Sequence, residues 1–165
     1  MSSVDCTDCR TQQKGRKFFS FKFRKSGLRY EVALCIKTGW IAWINGPYPC
    51  GMYNDLQIFR DSLLSHLGPN ERVEADDGYV GEAPQHIKCP KSFANPEETL
   101  AMQKRVRSRQ ETVNNRLKQW GCLNERFRHD TRKHGDVFRA VAVVTQLSIQ
   151  NGEPLFSVDY DDNTV

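Results

Sequence analysis

The chain lacks any apolar run near the roughly 20 residues that span a bilayer. Its opening stretch, Met1-Ser2-Ser3-Val4-Asp5, has neither the basic start nor the apolar core of a secretion signal. Both absences point to an intracellular protein, nuclear if eukaryotic and otherwise cytoplasmic, with no membrane partner. Repeats and low-complexity segments are also missing. The six cysteines are scattered, and free thiols are the default reading for such a chain. Cys6 and Cys9 form a CxxC, but no second CxxC completes a four-thiolate zinc site. His129 and His134 are the residues that would supply the missing half, which leaves a structural zinc protein as one alternative.

A globular core is what remains. The 165 residues are 38% hydrophobic and 27% charged, which suits one folded domain over 1–165. The net charge is +4, yet residues 104–139 carry eleven Lys or Arg against four Asp or Glu. That local excess is larger than the whole-chain excess, so the rest of the chain is slightly acidic. A concentrated basic face suits a polyphosphate partner.

The first half reads as β. Strands are expected at 4–12, at 19–23 where aromatic and polar residues alternate, at 28–36, and at 40–44 after a Thr38-Gly39 reversal. Trp40 and Trp43 are expected in the core. Asn45-Gly46-Pro47 and Pro49-Cys50-Gly51 read as loop. A helix capped by Asn54 or Asp55 follows, with Leu56, Phe59, Leu63, Leu64 and Leu67 at helical spacing. A short strand at 71–75 ends at Asp76, and 77–95 reads as irregular. Asn95-Pro96-Glu97-Glu98 is a strong helix start, opening a helix over about 96–120 with the stripe Val106, Val113, Leu117 and Trp120. A last helix over about 135–150 carries Val137, Phe138, Val141, Val144 and Leu147. Three or four antiparallel strands, a helix, then a strand returning beside the first make a mixed α/β sheet of the RNase H-like kind, flanked by helices.

That topology brings Asp5 and Asp76 together across 70 intervening residues and lets a helix add Glu111. Two strand-end aspartates and a helical glutamate are what a two-metal phosphoryl-transfer site needs, because Mg²⁺ or Mn²⁺ prefers carboxylate oxygens. Asp77 competes with Asp76, since Asp-Gly also marks turns. Asp55 is either a helix cap or a fallback second aspartate. Glu111 with Arg107 could equally form a plain helix-face ion pair. Arg107 lies four residues before Glu111 and Lys118 seven after, so all three share one helix face.

Several segments resemble the PIF/Harbinger-type DDE transposases. Val4-Asp5-Cys6-Thr7 is similar to the family's DGT segment, with Cys6 where the family usually has Gly. Ala75-Asp76-Asp77-Gly78-Tyr79 resembles its aDxGY block, and the 34 residues between Asp76 and Glu111 are close to its usual spacing. Asn54-Asp55 and Phe59-Arg60-Asp61-Ser62 resemble a further block. Arg107, Glu111 and Lys118 match part of a signature of related bacterial insertion-sequence transposases, with Lys104 where a Tyr is usual.

The resemblance implies a nuclease domain that cuts and joins DNA with Mg²⁺ or Mn²⁺. Asp5, Asp76 and Glu111 would be its catalytic metal ligands. Arg107 and Lys118 would contact DNA, and Arg109 and Arg116 are counted with them on the same basic helix. The partners implied are transposon ends and target DNA, with a homo-oligomer as an option. Only four residues precede Asp5, so no N-terminal DNA-recognition domain is expected, and a separate accessory protein would supply recognition. The rival reading is a domesticated or truncated derivative, catalytically silent, that binds DNA or protein.

Overall fold

The computed structural model describes residues 1–92 and 97–160. Its centre is a six-stranded sheet. Strand β1 (Ser2–Arg10) pairs antiparallel with β3 (Lys25–Cys35) over its whole length. On its other side β1 runs parallel to β5 (Val73–Glu74), which runs parallel to β6 (Ile87–Lys88). The far side of β3 is covered by β2 (Phe19–Ser20) and β4 (Ile41–Pro49). This is the expected RNase H-like arrangement, a mixed sheet whose later strands return parallel to the first.

Strand alternation sends successive residues to opposite faces, and helices cover both. On one face, Tyr30, Val32, Leu34 and Cys9 pack against α2 (Glu97–Lys118), the short α3 (Gly121–Asn124) and α4 (His134–Gln150). Tyr30 stacks on Phe138 at 3.8 Å between ring centres, and its hydroxyl meets His134 Nδ1 at 2.6 Å. On the other face, Val4, Ala33, Val73 and Tyr79 pack against α1 (Asp55–Asp61) through Phe59. Among the described residues no helix is long and apolar enough to cross a membrane.

Several expectations need correction. The loop read at 45–47 lies inside β4: Gly46 takes φ 129, and the pairing with β3 shifts register there. A Cβ on Gly46 would sit 2.7 Å from the Tyr30 ring, so only glycine fits this bulge. The 19–23 strand is two residues long, because the chain turns over 21–24, with Arg24 at φ 54. There Ser20 is buried and bonds Asp8, while Phe21 points outward.

The α1 helix stops at Asp61 and continues as a 3₁₀ turn, Leu63–His66. Residues 77–82 form another such turn, and β6 was not foreseen. Trp40 is 47% exposed at its reversal rather than in the core. Trp120 is exposed because α2 ends at Lys118 and Trp120 sits between α2 and α3. On α4 the buried stripe runs Phe138, Val141, Ala142, Thr145 and Ile149, which leaves Val144 and Leu147 outside. The proposed cap at Asn95 lies outside the described residues.

The zinc alternative fails on strand geometry. Cys6 and Cys9 are an odd number of residues apart on β1, so they face opposite sides. Cys6 lies against Tyr79 on the α1 face and Cys9 in the core beneath α4. No disulfide joins cysteines among the described residues.

One buried ion network spans the α1 face. Arg29 donates to both carboxylate oxygens of Asp8 (2.7 and 3.0 Å), to Asp55 Oδ1 (2.7 Å) and to the Tyr53 carbonyl. These bonds hold the Asp8 carboxyl below the usual aspartate range although burial alone pushes it up. Replacing Arg29 strands a buried charge. Arg29→Ala is expected to lower stability by about 3–5 kcal/mol in chemical denaturation, more than Asp8→Asn. Equal, small losses for both would contradict the network's role.

Candidate metal and nucleic-acid site

The parallel pairing of β1 with β5 sets the site. Ser2 lies opposite Val73 and Ser3 opposite Glu74. The same register continued two residues places Asp5 level with Asp76. Neither strand needs its carboxylate for pairing with the other there, since β5 ends at Glu74. The chain then turns, with the Asp76 carboxylate accepting the Gly78 N–H at 2.8 Å to cap the 77–82 turn. A Cβ on Gly78 would come within 2.9 Å of that carboxylate oxygen, which explains the glycine of the Asp-x-Gly pattern.

Helix α2 is fixed over this part of the sheet by Gln110. Its side chain accepts from the Ser3 hydroxyl (2.8 Å) and donates to the Val32 carbonyl (3.1 Å), tying the helix to β1 and β3 at once. Val106, Val113 and Leu117 bury the same side. Glu111, next to Gln110, then faces the opening. A cleft of about 680 Å³ results, lined by Asp5, Asp76, Glu111, Arg107 and Lys118 together with Lys22, Lys104 and Asn114. Of the competing second aspartates, Asp76 is the one on this lining. Asp55 sits on the α1 face against Arg29, and Asp77 accepts the Lys91 N–H while its other oxygen pairs with the Lys91 ammonium at 3.8 Å.

Asp5 is the most perturbed acid of the cleft. Burial raises its carboxyl from 3.8 to about 6. The Lys22 ammonium and the Cys6 N–H (2.7 Å) act against that rise, while Asp55 and Asp76 add to it. Asn114 donates to the second Asp5 oxygen at 2.8 Å. Asn114 lies three residues beyond Glu111 and so on the same helix face. Its own Oδ1 is buried and without a hydrogen-bond partner among the described residues. Sequence reasoning missed this residue; its offset from Glu111 was the available signal. Glu111 itself makes no ion pair or hydrogen bond among the described residues, so the plain Arg107–Glu111 pair is not formed.

The donor set suits a hard cation: carboxylate oxygens and an unpaired amide oxygen, with acids that repel one another in its absence. The three carboxylates line one cleft without closing on a point. Among the described residues no three Asp, Glu, His or Cys side chains converge into a ready grip for an ion.

The basic residues divide. Arg107 and Lys118 open onto the cleft, and the Arg107 Nε is buried with no hydrogen-bond partner among the described residues. Arg109 does not: it is buried on the opposite side of α2 and donates to the Ile36 carbonyl. Arg116 donates to the Glu153 carbonyl, tethering the segment after α4. Two residues of separation from Arg107 turn Arg109 well over a hundred degrees around the helix axis, about 200° at 3.6 residues per turn. That rotation corrects its grouping with the DNA contacts, and Arg116 likewise serves the fold here.

The sheet is RNase H-like, and its first and later strands bring Asp5 and Asp76 to one cleft lined by acids and cations together. A model of the DDE superfamily endonucleases matches residues 4–146, and the chain belongs to that family. A search of curated proteins finds no match.

Without a cation, the raised Asp5 makes the fold bind a proton that the unfolded chain releases. Stability therefore falls as pH rises from 3.8 to about 6 and is flat above. Removing the Asn114 donor withdraws a bond to the charged form, so Asn114→Ala is expected to move the Asp5 midpoint above about 6. Carbon-detected NMR of the Asp5 carboxyl reads this directly; an unmoved midpoint would show that the bond does not hold the carboxylate.

Proposed function

We propose that the chain is the divalent-metal-dependent DNA endonuclease and strand-transfer domain of a Harbinger-like transposase. The observation that carries this reading is the β1–β5 register, which sets Asp5 level with Asp76 under the helix bearing Glu111. The resemblance of the segments around these residues to the transposases supports the finer assignment. Asp5, Asp76 and Glu111 would hold Mg²⁺ or Mn²⁺. When bound, such ions activate the attacking water or 3′-hydroxyl and neutralise charge on the leaving oxygen.

The remaining work falls to the chain. Cys6 N–H and the Asn114 amide each occupy one lone pair of Asp5, fixing its rotamer and leaving its other lone pairs for the cleft. Glu111, without a hydrogen bond or ion pair among the described residues, is able to swing toward Asp5 and Asp76. Arg107 and Lys118 flank it on the same helix and would hold the DNA phosphate as point charges. Gln110 keeps that helix from sliding, so the phosphate and the carboxylates stay in register. The substrate would be DNA, transposon ends and target alike, with recognition shared with an accessory protein and a nuclear location in a eukaryotic host.

Plasmid nicking in Mg²⁺ or Mn²⁺ tests the reading. Glu111→Gln and Asp5→Asn are expected to lower the rate by at least about a hundredfold, since even groups behind the ligands contribute 10–100-fold. Arg107→Gln should weaken DNA binding, whereas Arg109→Gln should lower stability instead. Nicking by Glu111→Gln at the wild-type rate removes the catalytic assignment. DNA binding without nicking by the wild type would favour the silent derivative.

A further inference from the structure

We propose that residues 14–25 form a basic arm that grips the DNA backbone beside the cleft, with Phe21 stacking on an unpaired base. This rests on the reading of the cleft as a DNA-processing site. The twelve residues hold six cations (Lys14, Arg16, Lys17, Lys22, Arg24 and Lys25), four phenylalanines and no acid. All six cations are exposed, and among the described residues none has an ion pair or side-chain hydrogen bond. Lys17 lies over the Phe18 ring. Lys22 links the arm to the site: it lines the same cleft as Asp5 and Glu111, and its charge acts on Asp5.

Phe21 stands apart from the other three rings. Phe18, Phe19 and Phe23 are half-buried, whereas Phe21 is 81% exposed, the largest exposure of any bulky apolar side chain described. The edge-to-face contact with Phe19, at 5.2 Å between ring centres, braces one side. The turn at 21–24 holds the ring outward, with Lys22 following it in the chain. A bare ring among unpaired cations repels a basic or simple apolar partner surface and suits one that is anionic and carries flat π-faces. Single-stranded nucleic acid is that partner: phosphates meet the cations and any base stacks on the ring. A base becomes available where a duplex is opened or nicked, and Lys22 places this ring next to the cleft where a strand would be cut.

Binding in EDTA, where no cutting occurs, separates this proposal from the nuclease reading. The probes are a duplex with a short single-stranded gap bearing 2-aminopurine and the same duplex fully paired. Phe21→Ala is expected to bind the gapped DNA about tenfold more weakly, lose the quenching of 2-aminopurine, and bind the paired duplex as the wild type does. Phe21→Trp should restore both signals. The triple change Lys22→Gln, Arg24→Gln, Lys25→Gln should flatten the log–log salt dependence on both DNAs by up to about 0.7–0.9 per lost contact. Phe21→Ala binding both DNAs like the wild type, or losing equally on both, overturns the stacking role. An unchanged salt slope in the triple variant overturns the grip. If nicking in metal fails while Phe21-dependent binding persists, the nuclease reading falls and the arm stands.

Discussion

Two backbone pairings, Ser2 with Val73 and Ser3 with Glu74, carry the arrangement of the whole site. They are the only contact in register between the first strand and the strand that follows α1. A slip of one residue would turn every β5 side chain to the other face, burying Asp76 against Phe59 and bringing Ala75 to the cleft. The register is held by what flanks it. Val73 is fully buried in the α1-face core with Ile87 and Tyr79. Glu74 is held through the Tyr160 hydroxyl on the other face. The carboxylates two residues further on are thus placed by apolar packing that they take no part in.

The acids of the cleft are held in a state that burial disfavours. Asp5 stays partly desolvated with one hydrogen bond to each oxygen, and Glu74 nearby is also raised, first by burial. Asp55 and Asp76 add to the rise at Asp5, against the lowering by the Lys22 ammonium. On the opposite face the same problem is solved internally, with Arg29 set between Asp8 and Asp55. On that face the fold sets its own cation between the acids, whereas the acids of the cleft meet cations spread around an opening. The basic residues around it, Lys22, Lys104, Arg107 and Lys118, are spread on its rim and suit a phosphate backbone that crosses the opening.

Much of this was legible in the residues. Topology followed from the order of apolar runs and turn signals, because β3 and the α2 core positions are clearly patterned, whereas β1 is only weakly so. Asp5, Asp76 and Glu111 line one cleft, although Asp5 lies within β1 and not at a strand end. What escaped was decided by tertiary contact. Gly46 and Pro47 read as a loop, yet the Tyr30 ring lies against a bulge that only glycine can form there. The alternation at 19–23 suggested a strand, yet the chain turns after Ser20, which buries itself to bond Asp8 and leaves Phe21 outside. Arg109 looked like its neighbours in composition, and only the direction of α2 over the sheet turned it to the Ile36 carbonyl. Asn114 had no signal beyond its offset from Glu111.

The most direct test of the central claim is anomalous diffraction from crystals of the protein grown with Mn²⁺. The account predicts manganese in the cleft, bound by Asp5, Asp76 and Glu111 with Glu111 drawn toward the strand ends, and no manganese there in Glu111→Gln crystals. Manganese bound elsewhere on the molecule with this cleft vacant, or an unchanged peak in the Glu111 variant, would contradict it.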